Sequence, residues 1–389
     1  MLVPKLRFKD FENKYVEYKL KDITDFYKGN ILSKSDIVVD GKIPCILYGE
    51  LYTRYSEITK CIISHTNNKS ENLFYSQVND VLIPCSGETA LDISTSTCVL
   101  LDNVALGGDL NILRPKKYID GKYLSYLLSN KKRITIAKYA QGDSIVHLYA
   151  DKIKNISIIL PSLEEQKKVA FVLELLSKKI EIQQRKIDTL KMYKKGLIVR
   201  IYTKQYSNKE KLLKLINQKS NKNSNNEVNE VYSISNKDGF LLQSNQFKDR
   251  MIASEDISNY KIVKKDYFAY NPARINVGSI ARMKEAKQGI ISPMYICFIC
   301  NEKILPDYLE YFYESSVFKY EMNKRLEGSV RMCLSYESMI NIPIELPSLE
   351  EQRKSSQILN KIDEKIKKEE NIYIIQNNLK KGLLQKMFI

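Results

Sequence analysis

Residues 160–202 read LPSLEEQKKVAFVLELLSKKIEIQQRKIDTLKMYKKGLIVRIY, and residues 346–388 read LPSLEEQRKSSQILNKIDEKIKKEENIYIIQNNLKKGLLQKMF. The two stretches align at a constant offset of 186 without a gap, and fifteen of their 43 positions are identical. PSLEEQ is shared at one end and KKGL at the other. The register continues upstream. Gly142 falls on Gly328, Leu148 on Leu334, Asn155 on Asn341, Ile156 on Ile342 and Ile158 on Ile344. Asp80, opening DVLIPCSG, falls on Asp266, opening DYFAYNPA. The period is far too long for a solenoid repeat. It describes a duplicated module, a globular part followed by a long helix.

The helix is argued from physical signals. Pro161 suits a helix start, where its missing N–H costs nothing. Ser162 can cap, and Glu164 and Glu165 lie where the macrodipole favours anions. A 3-4 spaced series then runs through Val169, Leu173, Leu176, Ile180, Gln183, Ile187, Leu190, Lys194, Leu197 and Ile201. Eight of these ten positions are apolar, which describes a coiled-coil seam. Neither stretch has a proline inside the helix, and Gly196 and Gly382 fall near the ends. The second copy places Leu359, Ile362, Ile366, Tyr373, Leu383 and Met387 on its seam. Its middle carries Glu369, Gln376 and Lys380, and the nearby Ile372, Ile375 and Leu379 suggest that the stripe drifts there. A helix of about 40 residues is about 60 Å long, more than one compact domain can bury. The simplest burial is for the two helices to pack on each other. An antiparallel pairing places the globular parts at opposite ends of a rod; a parallel pairing, or pairing with helices of other proteins, stays open.

The remaining segments divide around these helices. Residues 156–160, 80–84 and 96–101 have strand character, and YLSYLL at 123–128 reads as a helix core. The second globular part repeats the style in YKIVKKDYFAYNP, GIISPMYICFIC, a helical DYLEYFYESSVFKYEMNKRL, and NIPIEL. Residues 205–230, rich in Asn, Lys and Ser, read as a helical extension followed by a flexible linker. The expected fold class is α+β: mixed α/β domains at 1–159 and 231–346, and long helices at 160–204 and 347–389 forming an antiparallel coiled coil.

Composition narrows the function. Lys and Arg number 62 against 46 Asp and Glu, a formal charge of +16. That excess suits a polyanion, nucleic acid first, although a Lys-, Asn-, Ile- and Tyr-rich composition also reflects an AT-rich genome. No apolar run approaches the length of a membrane span, and MLVPKLRFKD lacks the apolar core of a secretory signal. A cytoplasmic location is expected. Seven scattered cysteines argue against a disulfide framework. Cys297 and Cys300 form a CxxC on a strand, where they point to opposite faces and cannot share one metal. His65 and His147, the only histidines, read as structural or surface residues. There is no GxxxxGK[ST] loop, no PD…ExK pattern, and only a faint likeness of Asn271-Pro272-Ala273-Arg274 to a methyltransferase loop. The chain does not look catalytic, and no metal, cofactor or catalytic residue is assigned to it. Residues able to read DNA are present. Tyr48, Tyr52 and Arg54 lie in LYGELYTRYSE, with Ser86 beyond. Tyr270, Asn271, Arg274, Asn276 and Ser279 lie in AYNPARINVGS. Arg and Asn can pair with guanine and adenine edges, and Tyr and Ser can hold phosphates. Tyrosines that stack in a core and polar residues that cap turns are the competing explanation.

The order of two globular parts and two helices, each helix opened by LPSLEEQ, resembles the specificity subunit of type I restriction–modification systems. IPCILYGELYTRY, and YNPARINVGSIA followed by ISPMYICF, agree with it. The resemblance covers nearly the whole chain. It implies two target recognition domains, each reading half of a bipartite DNA site, and a helical spacer that fixes their separation. It implies two modification subunits that methylate adenine with S-adenosylmethionine, and restriction subunits, when present, that use ATP and Mg for translocation and cleavage in phage defence. This chain would choose the sequence without catalysing. A self-contained restriction enzyme, and a two-headed DNA-bridging protein that binds without sequence preference, are the alternatives.

Overall fold

The computed structural model describes residues 3–236, 239–246, 256–328 and 332–389. The chain forms two compact units, Met1–Gln184 with Asn371–Ile389, and Arg185–Glu370. Each unit therefore draws on both long helices, Leu163–Thr203 and Leu349–Lys386.

The first unit is built on a five-stranded sheet ordered Thr24–Lys28, Leu110–Pro115, Val81–Pro84, Thr97–Val99 and Ile58–Thr59. Its central strand is VLIP, buried at every position, as an inner strand covered on both faces must be. A four-stranded sheet, Ser64–Thr66, Ile43–Ile46, Ala105–Leu106 and Phe74–Tyr75, lies beside it in the chain order. Val16–Lys19 pairs antiparallel with Ser157–Leu160, which leads into the first long helix. Asp80, at the head of its strand, is fully buried and takes a bidentate pair from Arg114 at 2.9 and 2.8 Å. Against the sheet packs the helix Gly121–Tyr126, continued by a π-turn through Lys131. Its Tyr123 and Leu124 share one core with Val169 and Leu173 of the first helix and with Leu384, Met387 and Phe388 of the second.

The second unit repeats this plan with shorter sheets. Ile216–Lys219, Ile296–Cys300, Phe268–Tyr270 and Ile280–Arg282 form one sheet, and Gly239–Leu242, Val231–Ser235, Gln288–Ile291 and Lys261–Lys264 the other. Phe268 and Phe298 stack at 5.3 Å across the first of these. The helical stretch is two helices, Pro306–Glu314 and Ser316–Asn323, divided at Ser315, whose side chain caps the second by accepting from the Phe318 N–H. Ile198 and Tyr202 of the first long helix complete this core, with Tyr202 packed on Tyr308 at 4.9 Å.

Residues 205–230 are not a flexible linker. Lys209–Lys211 pairs with Pro343–Glu345, and Ile216–Lys219 pairs with Ile296–Cys300. These strands stand where Val16–Lys19 and Thr24–Lys28 stand in the first unit. The backbone bond from Leu20 to Ile156 has its counterpart from Leu212 to Ile342. Polar composition hid them because these edge strands alternate exposed Lys, Asn and Gln with the buried Leu212, Leu215 and Ile216. The second globular part thus begins near residue 208 rather than 231.

The long helices run antiparallel within each unit. In the second, Lys186 meets Glu369 at 2.6 Å, Lys194 meets Asp363 at 2.9 Å and Lys204 meets Glu351 at 3.4 Å, so one numbering rises as the other falls. In the first, the start of one helix, at Val169 and Leu173, shares a core with the end of the other. Val169, Leu173, Ile187, Leu359 and Ile366 are buried; Leu176, Ile180, Leu190, Leu197, Ile362, Tyr373 and Leu383 are half-buried. The expected drift of the second stripe does not occur. Glu369 and Gln376 stay buried on the seam, while Ile372, Ile375 and Leu379 are 41%, 65% and 53% exposed. The seam lysines are equivalent anchors. Lys380 lies over the Tyr126 ring and binds Glu57, and Lys194 lies over Tyr311 and binds Glu314 and Asp363. Burial works against the Lys194 charge, yet the two acids outweigh it and raise its pKa.

The duplicated PSLEEQ has a physical role. Each Pro stands one residue before the capping Ser rather than inside the first turn. Ser162 and Ser348 accept from the N–H groups of Glu165 and Glu351. The buried Gln of each copy then bonds in two directions. Gln166 accepts from the Asp120 N–H and donates to the Pro161 carbonyl, both at 3.0 Å. Gln352 accepts from the Leu305 N–H at 2.9 Å and donates to the carbonyls of Lys303 and Pro347. Both therefore fasten the long helix to the start of the neighbouring short helix. Replacing Gln166 or Gln352 by Ala strands a backbone N–H and is expected to cost about 2 kcal/mol, read as a lowered denaturation midpoint for either variant.

Candidate nucleic-acid interface

The first unit gathers several of the candidate residues. The strand Ile43–Ile46 runs into the short helix Glu50–Thr53, which is organised by one buried carboxylate. Glu50 accepts from the Leu47 N–H at 3.0 Å, from Ser64 Oγ at 2.5 Å and from Arg54 Nη1 at 3.2 Å. Arg54 remains half-exposed beside it. Tyr48 and Tyr52 are half-buried. The loop after Ser86 lies next to this helix, since a Cβ on Gly87 would stand 3.6 Å from Tyr52 Cε1, and burial pushes the Tyr52 phenol above its ordinary value.

That loop is joined to a hairpin. Ser86 and Gly87 pair with His147 and Val146, and the Leu148 N–H donates to the Cys85 carbonyl at 2.8 Å. Gln141 and His147 close the hairpin with two backbone bonds of 3.0 and 2.7 Å. Gly142 turns it at φ +117°, and a Cβ there would meet the Ile145 carbonyl oxygen at 2.2 Å. The second unit carries the same device. Glu327 and Cys333 exchange bonds of 2.9 and 2.8 Å, Gly328 has φ +115°, and the Leu334 N–H donates to the Pro272 carbonyl. The repeat pairs Gly142 with Gly328 and Leu148 with Leu334 because both residues define this turn and its root.

The second unit presents the loop Asn271–Ser279. Asn271 Oδ1 accepts from the Ala273 N–H at 3.1 Å, its own N–H bonds the Ser279 carbonyl, and Gly278 closes the loop in the left-handed region. Arg274, Asn276 and Val277 are exposed at its tip. Met294 is exposed beside it, its sulfur 3.6 Å from Asn271 Nδ2.

Three candidates do not face outward. Tyr270 is fully buried and donates to the Leu334 carbonyl at 3.2 Å. Ser279 is buried at the loop root, and Ser86 is buried against His147 Nδ1 at 3.0 Å. Aromatic residues next to a turn were as apt to anchor it as to face out, and here Tyr270 anchors. Conversely, the half-buried His147 lies on this hairpin and was not among the candidates; Gly142 and Leu148, shared with Gly328 and Leu334, were the available signal.

Among the described residues, no group of three or more His, Cys, Asp or Glu could hold a metal ion. Burial pushes the Cys45 and Cys297 thiols up to about 11 and about 12, the opposite of nucleophile activation. No helix of the described residues is long and apolar enough to cross a membrane.

Comparison with known proteins agrees in one direction. Residues 12–192 match the family described as Type I restriction modification DNA specificity domain. The MjaVIII specificity subunit of a type I restriction enzyme from Methanocaldococcus jannaschii is 25% identical over 380 residues, 89% of this chain and 86% of that protein. A putative MjaX specificity subunit from the same organism is 35% identical over 101 residues, 25% of this chain and 24% of that one. Among solved structures, the S subunit of a type I restriction–modification system from M. genitalium superposes with a TM-score of 0.66 at 16% identity, over 100% of this chain and 99% of that one. A chain from a structure on assembly and conformational transition of the type I R-M system gives 0.56 at 12% identity, over 97% and 98%.

The hairpin analysis carries its own test. Gly142→Ala forces a side chain into the Ile145 carbonyl at positive φ and is expected to cost about 1–3 kcal/mol. Hydrogen exchange should show faster loss of protection at Val146 and His147 than in the sheet.

Proposed function

We propose that the chain is a type I restriction–modification specificity subunit, a non-catalytic DNA-recognition subunit, and that each of its units is a target recognition domain reading one half of a bipartite site. The observation that carries this is the shared frame with exchanged side chains. The same glycine-turned hairpin and adjoining loop occur in both units, but His147 and Tyr149 in one stand where Cys333 and Ser335 stand in the other. A duplicated reader of two different half-sites needs this combination. Tyr52 and Arg54 in the first unit, and Arg274 and Asn276 in the second, are the exposed or half-exposed candidates for DNA contact. The net charge of +16 supplies affinity for phosphate.

In this reading the antiparallel helices set the spacer and dock two modification subunits. Phe171, Leu175 and Ile182 support docking: each is at least 50% exposed, on the side of the first helix away from Val169 and Leu173. Adenine methylation belongs to those partners, which bind S-adenosylmethionine. ATP and Mg belong to restriction subunits where the system has them. The complex acts on DNA in the cytoplasm.

Exchange of residues 206–346 for the matching segment of another specificity subunit is expected to change one half of the methylated site only. Sequencing of methyladenine reads the result, and a change in both halves contradicts the assignment. An exchange beginning at 231 separates Lys209–Lys211 and Ile216–Lys219 from their native partners and is expected to lower the yield of soluble protein.

A further inference from the structure

We propose that the hairpin Gln141–His147 is the element of the first unit that reaches base edges, and that His147 reads one of them through Nε2. This rests on that unit being a DNA-recognition domain, and it assigns a contact that the shared fold does not.

The hairpin is rigid at its root and open at its tip. Two backbone bonds join Gln141 and His147, the Ser86–Gly87 strand pairs with it, and Val146 is buried beneath. Asp143, Ser144 and Ile145 are exposed, Ile145 at 60%. A two-stranded ribbon of this kind fits the major groove, where an apolar tip can meet a thymine methyl.

His147 is held on two sides. Its Nδ1 lies 3.0 Å from Ser86 Oγ, and its ring stacks near that of Tyr149 at 6.2 Å and 24°. With Nδ1 engaged, Nε2 is the polar atom left to a ligand. If Ser86 donates, Nε2 carries the proton and suits guanine N7 or O6; if Ser86 accepts, Nε2 accepts from an amino group of adenine or cytosine. Either way the ring is oriented before DNA arrives, which lowers the entropy lost on binding. A Ser–His pair also occurs in hydrolases, but Ser86 is only 3% exposed and cannot attack a substrate. In the second unit the root bond from Leu334 goes to the Pro272 carbonyl as that from Leu148 goes to Cys85, so Ala273 and Cys333 stand at the positions of Ser86 and His147. The frame is kept while the pair that would read a base is replaced.

The test uses the chain assembled with its modification subunits, methylating a pool of duplexes randomised across both half-sites. His147→Ala is expected to relax preference roughly ten-fold at one base pair of one half-site, with the other half-site unchanged. Ser86→Ala, a positioning change, should give a smaller loss at the same base pair. Ile145→Ala, at the exposed tip, should weaken the same half-site and keeps the test usable if His147→Ala fails to assemble. Unchanged preference in His147→Ala, or in Ile145→Ala where the former does not assemble, overturns the hairpin proposal. The broader reading then still stands if exchanging the rest of the first unit alters that half-site. It fails instead if such an exchange alters neither half-site.

Discussion

Each globular core is closed by the end of the long helix that belongs to the other repeat. Phe388 packs on Tyr123 at 4.9 Å, and Tyr202 packs on Tyr308 at the same distance. Neither domain can bury its own 38- to 41-residue helix, and neither core is complete without the arriving end. Antiparallel pairing follows from this exchange. So does the constant offset of the repeat, since an insertion in one helix would misplace an aromatic residue that the opposite core needs.

The buried glutamines make that arrangement directional. A helix held only by an apolar seam can slide by a turn or rotate at modest cost, because the seam is nearly uniform. Gln166 and Gln352 each satisfy a backbone N–H of the adjoining domain, which only one register allows. The polar seam residues act in the same sense. Lys194 and Lys380 each reach one tyrosine face and one acidic partner set, so what reads as a weak coiled coil is a specified one.

The architecture was legible because duplication and helical spacing are long-range signals that survive substitution. Fifteen shared positions placed the helices, and the strands at 80–84 and 156–160 followed from short β-branched runs. The strands at 209–219 were not legible. Their polar composition matches that of linkers, and only pairing with 296–300 and 343–345 gives them order. The drift of the second seam was misjudged for a related reason. Hydropathy alone ranks Ile375 above Gln376, whereas the register set by the globular cores buries Gln376 and leaves Ile375 in water. For the candidate DNA-contact residues, the burial of each side chain was not legible in the sequence. Tyr270, Ser279 and Ser86 have side chains able to bond DNA, but the structure buries all three.

The central claim is that two linked readers on one helical spacer choose a single divided DNA site. Sequencing methyladenine across the host genome, with and without this gene, tests it most directly. The account predicts loss of methylation at one motif made of two short half-sites separated by a fixed, unspecified spacer. Loss at a continuous motif, or no loss while the modification subunits remain active, would contradict it.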